Sequence, residues 1–188
     1  MFSELSLVST SLGLLLFLIH LVALQAPSLS KRFLQHFPRS PQLGILLLST
    51  AGIWAFILAS TIDLGEFTPF RFFILLGIVT CTILFGWLVP DFLAVRSLGF
   101  LGLLAAHPIL EITFLQSGWS SFLLSLLSYI WIVIGLFLVG IPYLLRNCIT
   151  TITKPQQHWL WNLLCWFGIL YGSTLVGGGI LSFYSRSN

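Results

Sequence analysis

The sequence predicts an all-α membrane protein, a polytopic bundle of six transmembrane helices with a proline-broken fourth span. Three observations carry that prediction. Only 7% of the 188 residues are charged, where an ordinary soluble domain carries about 25%. Hydrophobic residues make up 57% of the chain, and its mean hydropathy is +1.04. Polar side chains are then too few to coat a water-facing surface, so the solvent must be lipid. The apolar runs are also continuous, without the period-two alternation of barrel strands, and read as helices. At about 20 residues per span plus a connection, six crossings use up the whole length. The chain is expected to form a single integral membrane domain, residues 1–188.

The first span is expected over about residues 5–25. Its first charged residue is Glu4 rather than a lysine or arginine, and its apolar run is too long for a signal h-region, so it reads as a retained span. Pro27 and a polar, basic stretch from Ser28 to Pro41 end it. The second span covers about 43–62 and is followed by the short connection Asp63 to Pro69. The third runs over about 70–89 and stops at Pro90 and Asp91. The fourth, about 94–115, is interrupted by His107-Pro108, where the missing backbone donor is expected to kink the helix. A turn at Ser117 to Ser120 leads into the fifth span, about 121–145. Arg146 to Gln157 reads as a polar loop. The sixth span covers about 159–183, before a polar tail of Ser185 to Asn188.

The basic residues give the orientation. With the first loop in the cytoplasm, that side holds Lys31, Arg32, Arg39, Arg96, Arg146 and Lys154, against Arg71 and Arg186 opposite. The bias places both termini outside the cytoplasm of a plasma-type or inner membrane. Trp87, Trp119, Trp159 and Trp161 fall near span ends, as belt residues should. In lipid, helices associate through small residues that let backbones approach. Ala51, Ala55 and Ala59 form one such stripe, Gly99, Gly102 and Ala106 a second, and Gly168 with Gly172 a third. The run Gly177 to Gly179 reads as a packing seam or a local break near the outer interface.

Ionisable groups inside a span are costly, and each is a candidate for function. The candidates are His20 in the first span and Arg96, His107 and Glu111 in the fourth. At 100° per residue, Arg96, His107 and Glu111 fall within about 60° of one helix face. His107 and Glu111 are i,i+4 neighbours. Four readings are open for them: a structural polar bridge, a proton or small-molecule pathway, haem ligation by His20 and His107, and metal binding. No cofactor is predicted, since the depths of the two histidines match only loosely for haem b, and three scattered cysteines form no metal spacing. Asp91 and Arg96, five residues apart, are expected to pair with each other or to touch lipid head groups.

Absences narrow the function. The chain carries no phosphate loop, HExxH, GxSxG or CxxC. No basic stripe suits a nucleic acid. No catalytic set is evident, so the chain reads as non-catalytic on its own. It is expected to be an accessory or scaffold subunit of a membrane assembly, with the bilayer, other membrane subunits or further copies of itself as partners. The alternative is a small transporter or proton-conducting protein built on His107 and Glu111.

Overall fold

A computed structural model describes residues 4–114, 116 and 118–187, and all regular structure in them is helical. Eight α-helices follow one another: α1 (Glu4–Gln25), α2 (Pro27–His36), α3 (Pro41–Thr61), α4 (Arg71–Leu88), α5 (Leu93–Phe114), α6 (Trp119–Gly140), α7 (Tyr143–Ile152) and α8 (His158–Ser187). Short 3-10 turns at Phe37–Arg39, Gly65–Phe70 and Pro155–Gln157 link some of them. Among the described residues, six helical segments are long and apolar enough to cross a membrane. The expected end of the fourth span at Leu115, Ser117 of the expected turn, Asn188 and the side chain of Arg186 lie outside the described residues.

Local chemistry sets the helix boundaries. Ser40 caps α3 by accepting from the Leu43 backbone N–H at 3.4 Å, with Pro41 in the first turn. After α3 the Asp63 carboxylate accepts from Gly65 N–H at 3.0 Å, and Gly65 takes φ +53°, a turn that glycine makes at no steric cost. Arg71 then reaches back and donates to the carbonyls of Ser60 and Ile62 at 2.9 and 2.8 Å. It satisfies the exposed carbonyl end of α3 instead of pairing with Asp63 or Glu66.

Three sequence expectations need correction. The stretches 28–41 and 146–157 are not plain loops, because each contains a helix of 10 residues or most of one, α2 and α7. In α7, Leu144, Leu145, Cys148, Ile149 and Ile152 share a sector of about 140°, and Arg146, Asn147, Thr150 and Thr151 fill the opposite side. The fifth span ends at Gly140 rather than near residue 145, because Pro142 interrupts the ladder just beyond it. Finally, α5 is one helix from Leu93 to Phe114 with Pro108 inside it, rather than a broken span. A proline costs a helix one hydrogen bond, and the flanking apolar turns carry the helix past it.

The chain divides into two units. One comprises residues 1–35, 105–132 and 147–188. Here α1 and α8 pack antiparallel along their lengths. A Cβ at Gly172 would lie 2.8 Å from both the Gly13 carbonyl and the Phe17 nitrogen, so the two backbones touch. Ser9, fully buried, donates to the Leu175 carbonyl at 2.8 Å near one end of the pair. Trp161 donates to the Ala23 carbonyl at 3.2 Å near the other. A core of Leu5, Ile109, Leu124, Leu127 and Leu175 fills the unit. The run Gly177 to Gly179 stays helical, with Gly179 against Thr10 and Gly178 against Ser120, so it is a packing seam and not a break.

The second unit comprises residues 36–104 and 133–146. Its helices also meet at glycines. Gly52 of α3 sits on Thr82 of α4, Gly44 of α3 on Leu93 and Ala94 of α5, and Gly99 of α5 on Gly135 of α6. Ser97, fully buried, donates to the Gly44 carbonyl at 3.3 Å.

Candidate functional site

The candidate polar residues divide into three places. His107 and Glu111 lie one turn apart on α5, with Nδ1 and Oε2 separated by 4.0 Å. That is too long for a hydrogen bond. Their side chains are 53% and 76% exposed, on the outer side of α5. The polar face of α5 therefore points outward, and His107 is not in the core. The opposite side, with Ala106 and Ile109, is the one that packs. Sequence periodicity puts His107 and Glu111 on a shared face but cannot say which way that face turns.

His20 stands apart from this pair. Its ring lies over Gly168 of α8, and its Nδ1–H donates to the Leu16 carbonyl at 2.8 Å. A carbonyl only accepts, so the proton sits on Nδ1. A Cβ at Gly168 would run into the ring. Gly168 and Gly172 thus have different work: the first seats a side chain and the second admits a backbone.

Arg96 is at the start of α5, in the unit of residues 36–104 and 133–146. It is half-buried, with its guanidinium 6.0 Å from the centre of the Phe85 ring of α4. Its Nε is buried without a hydrogen-bond partner. It forms no ion pair with Asp91, which is exposed just ahead of the helix. Phe85 in turn meets Phe100 edge to face at 5.3 Å. Nearby in sequence, Phe92 has φ +57°, and the Arg146 guanidinium lies 5.7 Å from its ring.

Three features escaped sequence reasoning. The first is an apolar cavity of about 330 Å³ among α3, α4 and α5, bordered by Ala51, Ala55, Cys81, Phe85 and Phe100. Ala51 and Ala55 of the expected stripe thus line a space rather than close a seam, while Ala59 is half-buried and Gly102 likewise. The second is a hydroxyl cluster where α5 meets α6. Ser121 donates to the Thr113 carbonyl at 2.9 Å and Ser125 to the Thr113 hydroxyl at 2.9 Å. The third is Trp161, read as an interfacial residue but 7% exposed, with Lys31 Nζ 5.2 Å from its ring centre. Trp87, Trp119 and Trp159 are exposed. Among the described residues, no three His, Cys, Asp or Glu side chains gather as a metal site would require.

No protein-family model, curated protein or solved structure matches this chain.

Proposed function

We propose that this protein is integral to a cytoplasmic-type membrane, with both termini on the non-cytoplasmic side, and serves as a non-catalytic accessory or scaffold subunit. Its α5 is the face that a partner helix covers. The observation that supports this is the outward-facing His107–Glu111 pair. A helix of 22 residues is about 33 Å long, which puts His107 about 5 Å and Glu111 about 11 Å from its centre. A hydrocarbon half-layer is about 15 Å deep. Both groups then face hydrocarbon, where an ionisable side chain costs roughly 2.5–3.5 kcal/mol near the centre on insertion scales. A neighbouring helix bearing a hydrogen-bonding side chain removes that cost. The transport alternative asks for an internal cavity lined by these groups, and their exposure gives it less support.

A photo-crosslinking side chain at Phe114 tests the reading, because Phe114 is 85% exposed on the same face of α5. Irradiated native membranes should give a discrete protein adduct from position 114 and none from Phe72 on α4, a control that is 69% exposed. The adduct should disappear in the His107→Leu/Glu111→Leu double variant. If position 114 captures only lipid, or the double variant crosslinks as before, the subunit reading fails.

A further inference from the structure

We infer that the cavity among α3, α4 and α5 is a binding site for one anionic phospholipid, its acyl chain in the cavity and its phosphate on Arg96. The inference rests on reading the long helices as membrane spans. The cavity walls dictate the chain. Its volume of about 330 Å³ lies within the ~300–1,000 Å³ of small-ligand pockets. Leu48, Ala55, Ile78, Phe100 and Leu103 offer it only carbon. The Thr82 hydroxyl at the wall is already committed to the Ile78 carbonyl at 2.7 Å. No free hydroxyl or amide donor remains on those walls, and a lining so rich in carbon suits hydrocarbon.

The charge comes from one wall. Phe85 lines the cavity, and the Arg96 guanidinium lies 6.0 Å from its ring centre. Arg96 keeps a buried Nε without an acceptor and has no carboxylate partner. It is the fourth residue of α5, about 5 Å along from the helix start, a depth suited to a lipid phosphate rather than the bilayer centre. Arg146, stacked on Phe92, adds a second cation to the same unit. Asp91 is the carboxylate in this stretch; it is exposed and makes no ion pair. A guanidinium against a ring that walls a hydrocarbon slot matches a molecule with an anion at one end and a chain at the other, and arginine is suited to phosphate oxygens.

Lipid retention makes the test direct. The full chain is reconstituted in nanodiscs of equimolar phosphatidylcholine and phosphatidylglycerol, released into mild detergent, and the lipid that stays bound is identified by native mass spectrometry. One phosphatidylglycerol should be retained per chain, enriched at least about fivefold over phosphatidylcholine, the factor that one arginine at an anionic headgroup supplies. Glycerol 3-phosphate, which lacks a chain, should not displace it. Arg96→Gln should abolish the enrichment, and Ala55→Phe, which fills the cavity, should abolish retention of both lipids. Equal retention of the two lipids by the parent chain, or displacement of the phosphatidylglycerol by oleate alone, overturns the proposal, whether or not the variants fold. Failure to enter nanodiscs would instead sink the membrane reading itself.

Discussion

His107 and Glu111 show how exposure changes the meaning of a residue pair. A buried pair makes each partner indispensable, because losing one leaves the other unsatisfied at a cost of about 1–3 kcal/mol. Here both side chains are exposed and 4.0 Å apart. The double replacement His107→Leu/Glu111→Leu should therefore shift the stability of the isolated chain by no more than ~0.5 kcal/mol, the range of surface substitutions. Detergent-titrated unfolding checks this, and a larger loss would make the pair a structural bridge. Glycines give the opposite expectation. A side chain at Gly172 meets the α1 backbone at Gly13 and Phe17, neither of which can move aside. Gly172→Val should cost roughly 1–3 kcal/mol or more through overpacking. Gly177 faces open space in the same helix, so Gly177→Ala should be neutral or slightly stabilising, since alanine exceeds glycine by about 1 kcal/mol in helix propensity. If the two substitutions behave alike, the α1–α8 contact is not where the geometry puts it.

At the level of elements, the long helices were legible in the sequence and the short ones were not. A span of 20 apolar residues stands out by composition alone. Helices α2 and α7 have 10 residues each, and their polar halves lower the average until the stretch reads as loop. Only the angular order of the side chains reveals them. In α7, Cys148 sits on the apolar side and Asn147 on the polar side, about 100° away. Cys148 is exposed in the free chain, so its surroundings come from what lies beneath the helix. If α7 lies in the membrane interface as a helix of this pattern does, a water-soluble maleimide should label Cys148 in vesicles much more slowly than a cysteine placed at Asn147 in a Cys148→Ser background. Equal rates would place α7 in water. The small-residue seams were half legible for a similar reason. Gly168-x-x-x-Gly172 is visible as a motif, but its counterpart Gly13 is a lone glycine with no pattern around it, and so is Gly135 opposite Gly99. The cavity beside Phe85 left no trace in the sequence at all, because it arises from three helices that fail to close.

For the whole molecule, the proposed orientation rests on charge, and the helix order makes it testable at several points at once. If all six long apolar helices cross, as proposed, the chain returns to its starting side. The antiparallel α1–α8 pair agrees with this, since Ser9 near the start of α1 bonds the Leu175 carbonyl in the second half of α8. The side with the first loop collects Lys31, Arg32, Arg39, Arg96, Arg146 and Lys154, and basic residues resist translocation. Single cysteines in a Cys81→Ser/Cys148→Ser background, with Cys165 buried, report each side. A cysteine at Ser28 or Gln156 should label in whole cells only after the membrane is permeabilised. One at Glu66, in the exposed turn between α3 and α4, should label without it. Reversal of all three would invert the protein while leaving the six spans intact. Reversal at Gln156 alone would mean that one or all three of α4, α5 and α6 fail to cross; if α5 is among them, His107 and Glu111 leave the hydrocarbon and with them goes the physical ground for a partner helix.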